Sequence, residues 1–233
     1  MKAAAFDYVK PATIDQVISL LQEHGDDARL LAGGQTLMAT LNMRLSEPQL
    51  VIDITGIEAL RGISVQGKVL RIGALATHTD IEFSPLVARH APLLKAAAPH
   101  IAHRAIRNRG TWGGSIAYAD PAAEWPACHL ALGGHVLARG PRGERRIAID
   151  DFFTGLYSTA LAPDEMLVAS EIPLAGTDLW FGFHELARRH GDYAIVGLAA
   201  SARRQDAALT QVRIALMGVD AMPMRARKSE ALL

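Results

Sequence analysis

Two segments of this 233-residue chain combine a glycine pair with flanking hydroxyl side chains, an arrangement that can hold an anion. In Leu30-Leu31-Ala32-Gly33-Gly34-Gln35-Thr36-Leu37 a strand runs into a turn that opens a helix. The glycines let the backbone come close to a bulky anion, the amides of the turn can donate to phosphate oxygens, and Thr36 adds a hydroxyl. Arg107-Asn108-Arg109-Gly110-Thr111-Trp112-Gly113-Gly114-Ser115-Ile116-Ala117 has the same ingredients, with Thr111 and Ser115 on either side of the pair. A glycine pair taken alone is more often a tight turn, and Gly133-Gly134, which has no hydroxyl cluster, reads as a plain hairpin turn. Two such loops in one chain can converge on a single diphosphate. No two glycines are spaced Gly-x-Gly, so the Rossmann fingerprint is absent, and Gly67-Lys68 lacks the rest of a P-loop. A dinucleotide held here is held by another fold.

Other groups extend this reading. Asp120-Pro121-Ala122-Ala123-Glu124 reads as a helix start, with Asp120 as N-cap and Glu124 as a first-turn acid. A carboxylate there could also accept hydrogen bonds from ribose hydroxyls. In Arg188-Arg189-His190-Gly191-Asp192-Tyr193, a charged turn between strands, Tyr193 offers a flat face to an aromatic cofactor. The nine histidines form no metal-ligand pattern. His100 and His103 are three apart but lack an HExxH or cysteine-pair context, so the histidines read as surface or partner-facing groups. Gly-x-Ser-x-Gly is absent, and the one cysteine, Cys128, lies in an apolar stretch that favours a packed thiol.

The elements that must position these groups follow from periodicity and punctuation. Thr13 caps an amphipathic helix through Val17, Ile18, Leu20 and Leu21 that closes at Gly25. Arg29–Ala32 and Leu50–Ile54 read as buried strands flanking a helical Leu37–Leu45, a βαβ-like order that suggests a small parallel sheet. Beyond residue 60, glycine-punctuated runs at Ile63–Val65, Val69–Gly73 and Gly134–Ala138 suggest antiparallel strands. Ile81–Arg89 and Leu93–Ile106 read as helices, the second interrupted at Pro99. Met166–Pro173, Ala194–Ala202 and Gln211–Val219 read as further strands, with a link at Ala175-Gly176-Thr177. A helix beginning at Arg225 runs uncapped to Leu233, which reads as a truncated element.

Composition narrows the partners. Twenty-four basic and 24 acidic side chains give a formal charge of zero, which provides no field for gripping nucleic acid or an anionic membrane. One cysteine supports neither a disulfide framework nor an iron–sulfur cluster, which needs about four, so any such cluster belongs to another chain. There is no secretory leader pattern and no apolar run near the ~18 residues of a membrane span. The expectation is a reduced, cytoplasmic protein.

Taken in order, Ala32-Gly33-Gly34-Gln35-Thr36, Ile106 to Ser115, Ala119 to Glu124 and Ala187 to Ala194 resemble the FAD-binding medium subunit of molybdenum hydroxylases. That family includes the carbon monoxide dehydrogenase, xanthine dehydrogenase and aldehyde oxidase flavoproteins. The resemblance runs from Phe6 almost to Leu233. It implies an α+β FAD-binding fold of the vanillyl-alcohol oxidase (PCMH) type, with a small α/β subdomain (1–56), a larger α+β subdomain (57–175) and a C-terminal antiparallel-sheet and helix domain (176–233) that ends early.

By the same resemblance, Leu31, Ala32, Gly33, Gly34, Gln35, Thr36 and Leu37, with Thr111, Trp112, Gly113, Gly114 and Ser115, cradle the FAD diphosphate. Glu124 stands near the cofactor beside Asp120, Leu167 packs on it, and Ile101 lines the same cleft. His184 stands where some members carry a lysine facing the flavin, Tyr193 lies close by, and Trp112 replaces a usual aliphatic residue. No residue of this chain does acid–base or nucleophilic work on the substrate. A large subunit with the molybdenum cofactor oxidises an N-heterocycle, an aldehyde or carbon monoxide. A small subunit with two [2Fe-2S] clusters passes the electrons, the flavin hands them to an external acceptor, and the assembly is a dimer of heterotrimers. The competing readings are a stand-alone flavoprotein oxidase or reductase of the same fold and a scaffold that has lost FAD.

Overall fold

The computed structural model describes residues 2–206 and 208–233. The chain opens with a three-stranded parallel sheet in the order β1-β3-β2, formed by β1 (Asp7–Val9), β2 (Ala28–Leu31) and β3 (Leu50–Asp53). All four residues of the central β3 are buried, as a strand paired on both edges and covered on its faces should be. Helix α1 (Ile14–His24) buries Val17, Ile18 and Leu21. Thr13 is its N-cap, with a reciprocal capping box to Gln16, worth about 1 kcal/mol. Helix α2 (Leu37–Asn42) is shorter than its apolar pattern suggests.

The second sheet is antiparallel, in the order β4-β5-β10-β6-β7. Its strands are β4 (Ile63–Gln66), β5 (Val69–Gly73), β6 (His135–Gly140), β7 (Gly143–Ala148) and the central β10 (Met166–Pro173), with the small pair β8 (Phe153–Gly155) and β9 (Ser158–Thr159) at one side. Strand β10 spans the range expected from its apolar run and its terminal proline. Between β5 and β6 the chain makes six helices: α3 (His78–Phe83), α4 (Pro85–His90), α5 (Pro92–Ala97), α6 (Arg104–Arg107), α7 (Trp112–Tyr118) and α8 (Glu124–Leu132). The single helix read over Ile81–Arg89 is therefore broken in two, and the interruption expected at Pro99 in the second stretch is present. Pro85 starts α4 on a Ser84 cap, and the Leu93–Ile106 stretch passes through a 3₁₀ turn at Ala98–His100, because proline tolerates only the first turn of a helix.

Two other expectations are corrected. Gly133 (φ 75°) and Gly134 (φ 103°) end α8 and turn the chain into β6 rather than joining two strands of a hairpin. Asp120 does not cap α8: the N-cap is Ala123, and Asp120 Oδ1 accepts from the Ala122 amide at 2.9 Å in a local turn.

The third sheet, β11-β12-β13-β14, consists of β11 (Leu179–Ala187), β12 (Ala194–Gln205), β13 (Ala208–Met217) and β14 (Met224–Arg225), followed by α9 (Arg227–Glu230). Strand β11 escaped the sequence reading because its Trp-Phe-Gly-Phe-His-Glu run has neither a buried stretch nor a clean two-residue alternation. Helix α8 joins the layers. Its residues Trp125–Ala131 are all buried, and it packs against β12, β13, α5 and α7. A helix apolar on every face is an interior helix. One continuous core results, running from Val17 to Met217.

Candidate functional site

The first glycine loop follows the C-terminal end of β2, and its two glycines are needed for different reasons. A side chain at Gly33 would collide with the carbonyl of Arg109 and with Gly110 Cα. Gly34 has φ +72°, a left-handed conformation that costs other residues roughly 1–2 kcal/mol. Gln35 Nε2 donates to the Gly33 carbonyl at 3.0 Å. Among the described residues, the amides of residues 33–37 donate to no backbone carbonyl, and residues 31–37 are only half-buried. The loop thus presents unclaimed N–H groups along an accessible wall that also includes the apolar Leu31, Ala32 and Leu37.

The second segment is built differently. Thr111 caps α7, its Oγ1 accepting from the Gly114 amide at 3.2 Å. The Trp112 amide donates to Ala76 O at 2.8 Å, the Gly113 amide to Ala74 O at 2.9 Å, and the Ser115 amide to Thr111 O at 3.1 Å. Gly113 is pressed on Ala74, where an added Cβ would come within 2.7 Å of the Ala74 methyl. Trp112 is wholly interior, its indole Nε1 donating to Ser170 Oγ at 2.8 Å and its ring 5.5 Å from that of Trp125. Gly114 is exposed and Ser115 half-buried, so these two form the accessible edge. The loops expected to converge do meet, through the contact of Gly33 with Arg109 and Gly110.

That meeting point is braced by two residues the sequence reading passed over. His78, expected at the surface, is buried. Its amide donates to Gly110 O at 3.0 Å, and its Nδ1 accepts from Trp125 Nε1 at 2.9 Å. Its Nε2 lies so near Gly110 that a Cβ there would approach it to 2.6 Å. Burial, aided by the Arg107 charge, pushes its pKa down to about 4, so it is a neutral brace. Arg107 is buried too, donating to Glu82 Oε2 at 3.0 Å and to the carbonyls of Ile101 and Ala102 at 3.1 and 3.2 Å. His129, also expected outside, is fully buried, and burial lowers its pKa to about 3.

The other expected residues fall into two groups. Glu124, the first residue of α8, has its pKa raised to about 7 by burial, with Glu185 and Asp120 adding to the shift. Burial, with the Asp120 charge adding to it, raises the pKa of Tyr118 and Tyr193, and for Tyr157 the Asp120 charge is the main cause. Tyr118 and Tyr157 face each other with ring centroids 5.0 Å apart. Tyr193 is 73% exposed, a wide aromatic face left free in this cluster. Ile101 and Leu167 are buried, the latter at the register shift where β10 pairs with β6. His184 is exposed on β11 opposite Leu198, within electrostatic reach of His100. Cys128 is a free, buried thiol whose pKa burial raises further. Among the described residues no group of three or more His, Cys, Asp or Glu could hold a metal ion, and no helix is long and apolar enough to cross a membrane.

Comparison with known proteins agrees with this geometry. Residues 4–175 match the family described as the FAD binding domain in molybdopterin dehydrogenase, and residues 181–233 match the CO dehydrogenase flavoprotein C-terminal domain. The chain belongs to this family of FAD-binding dehydrogenase subunits. It is 41% identical over 233 residues to the nicotine 6-hydroxylase medium subunit of Paenarthrobacter nicotinovorans, a match covering 100% of this chain and 81% of that protein. Among solved structures, it superposes with a TM-score of 0.98 and 37% identity on a chain of the carbon monoxide dehydrogenase from Hydrogenophaga pseudoflava that lacks the Mo-pyranopterin moiety of the molybdenum cofactor, covering 100% of this chain and 81% of that one. It superposes with a TM-score of 0.91 and 40% identity on quinoline 2-oxidoreductase from Pseudomonas putida 86, covering 97% and 78%. The family resemblance, the mixed α+β fold with its C-terminal sheet, and the assignment to an oxidoreductase that uses FAD all hold.

Proposed function

We propose that this chain is the electron-transfer subunit of a molybdenum-containing hydroxylase and holds the FAD diphosphate where the two glycine segments meet. The observation that carries this reading is the seating of Gly33 on the Arg109–Gly110 backbone beside the unclaimed amides of residues 33–37. Bound FAD supplies the capacity to accept electrons from one-electron donors and to release them to an acceptor. The protein's part is to bind, orient and shield. In this reading the Gly33–Leu37 amides and the Gly114–Ser115 edge hold the phosphates, and Asp120 accepts from ribose hydroxyls. Leu31, Ala32, Leu37, Ile101 and Leu167 form apolar walls, while Glu124, His184 and Tyr193 flank the ring system. Thr111 and Gly113 hold the second segment in place, and Trp112 anchors it from inside.

The donor is a small partner subunit with two [2Fe-2S] clusters, and a large partner subunit carries the molybdenum cofactor, the three assembling as a dimer of heterotrimers in the cytoplasm. An N-heterocycle is the substrate class favoured by sequence identity, which is 41% and 40% to the nicotine and quinoline enzymes against 37% to the carbon monoxide enzyme, although the last superposes more closely. The chain divides after residues 56 and 175, between the first and second sheets and just before β11.

Two measurements test this. The flavin absorbance of the purified complex should bleach on adding the heterocycle, and the isolated chain with FAD should show no bleaching. Bleaching by substrate without partner chains would instead mark a stand-alone oxidase. Gly114→Val should strip FAD from the complex and cost about 1 kcal/mol of stability, since Gly114 is exposed and a Cβ there would displace the Thr111 hydroxyl that caps α7. Unchanged FAD content in that variant would refute the second segment's role.

A further inference from the structure

One group of polar side chains is not used by the cofactor cradle. The 188–191 turn that follows β11 is seated on the 102–103 backbone and ring: at Gly191 (φ +85°) an added Cβ would lie 2.7 Å from the His103 imidazole and 3.0 Å from Ala102 O. The turn walls a polar cavity of about 250 Å³ whose other sides are His100, Glu185 and Ala187. Arg188, Arg189 and His190 are exposed at its rim. The ion-paired arginines among the described residues are all elsewhere. Asp192, exposed beside the turn, does not line the cavity. The Glu185 side chain is 3% exposed, and its Oε2 is buried without a hydrogen-bond partner. His100 Nδ1 lies 4.0 Å from that oxygen, too far for a hydrogen bond, and its ring packs on Phe183 with centroids 5.0 Å apart.

We infer that this cavity is a binding site for a phosphate group, held by Arg188 and Arg189 at the rim and by Glu185 and His100 on the buried side. The cradle assigned to FAD uses other residues, so occupancy of this site does not depend on the cofactor. Each planar guanidinium offers paired N–H groups to an oxyanion. With a carboxyl O–H and the imidazole N–H groups added, the donors outnumber what the two oxygens of a carboxylate can accept, and a tetrahedral oxyanion suits them better. The volume is below the about 300 Å³ at which sites for drug-sized molecules begin. The ligand is therefore a free phosphate ion or a single phosphoryl group that projects in from a larger molecule.

The one acid in the cavity is compatible with an anion. An ionised carboxylate without a partner in such a place costs several kcal/mol, so the group favours its protonated form. Burial raises the Glu185 carboxyl pKa, against a smaller lowering by His190. A protonated carboxyl brings no repelling charge and donates a hydrogen bond, and a phosphate oxygen is the acceptor that Oε2 lacks. The fixed charges of the lining are then the two guanidiniums.

The test titrates the purified complex, supplied with excess FAD, with inorganic phosphate, glycerol 3-phosphate and acetate by calorimetry at fixed ionic strength. At least one of the two phosphates should bind saturably and more tightly than acetate. Tighter binding of glycerol 3-phosphate identifies an organic phosphate as the ligand, and equal or weaker binding identifies the free ion. The double substitution Arg188→Gln with Arg189→Gln, at two exposed positions, should weaken phosphate about 10-fold or more. Glu185→Gln, which keeps a neutral donor, should stay within about 3-fold of the wild type, whereas Glu185→Ala should lose about 5-fold. The site is overturned if neither phosphate binds saturably, if acetate binds as tightly, if the arginine variant binds phosphate like the wild type, or if Glu185→Gln loses as much as Glu185→Ala. Should Glu185→Ala fail to assemble, the arginine variant and Glu185→Gln decide. A complex that holds no FAD would end the cofactor reading, while the arginine variant would still locate the phosphate.

Discussion

The two glycine segments look alike in sequence and are opposites in structure. The 33–37 loop has a left-handed glycine, half-exposed residues and amides that bond to no carbonyl. In the 111–115 segment the amides of residues 112–115 are taken by Ala76, Ala74 and Thr111, and Trp112 faces inward. The first is shaped to give hydrogen bonds away, and the second is shaped to be a rigid floor. A glycine pair in a sequence thus reports only that a side chain is not tolerated, and the cause can be a backbone angle, a neighbouring carbonyl or a packed methyl.

Substitutions that separate these causes should differ in size. Gly33→Val should have the largest effect, because its branched side chain must displace the Arg109 carbonyl and force the two segments apart. FAD should be absent from the purified complex, and chemical denaturation should show a loss of about 3 kcal/mol or more. Retention of FAD would mean that the contact between the segments is incidental.

Acid should weaken the floor next. His78 and His129 are held neutral in the fold, with values near 4 and 3 against an ordinary 6.5. The unfolded chain therefore binds protons that the native chain does not. Stability is fully present above about pH 6.5 and falls as pH is lowered through the window toward those folded values, by up to about 3 kcal/mol for His78. Denaturation midpoints measured from pH 7 to pH 4 should fall less steeply in His78→Phe than in the wild type, and equal slopes would remove His78 from the account. The smallest of the three effects belongs to Gly34→Ala, whose penalty is conformational, about 1–2 kcal/mol. Because its amide is kept, it should bind FAD more weakly but detectably, as a fluorescence titration would show. Complete loss would mean that the Leu31 and Met38 side chains, 3.1 and 3.3 Å from an added Cβ, cannot give way.

How much was legible follows the same division. Thr13 with its helix, the strands at 50–53, 69–73 and 166–173, and the buried thiol of Cys128 were readable because capping, apolar runs and terminal prolines are local signals. The interruption at Pro99 was legible too, whereas the break before Pro85, the true cap at Ala123 and the exit at Gly133 were misjudged where a proline or glycine admits more than one geometry. Strand β11 and the interior placement of His78 and His129 could not be read, because half-exposed aromatics and lone histidines have no period of their own.

What the sequence determined by itself was the set of parts: two glycine segments with their hydroxyls, the absence of a Gly-x-Gly fingerprint, a single cysteine, a balanced charge and the order of motifs that marks the family. These are properties of residue type and spacing, and no folding is needed to state them. Which amides remain free, which glycine answers to an angle and which to a neighbour, and which histidines end up buried were decided only by tertiary structure. Each depends on atoms brought within a few ångströms by α8 and the Arg109–Gly110 turn, and a short-range contact between residues distant in the chain leaves no mark in either stretch of sequence alone.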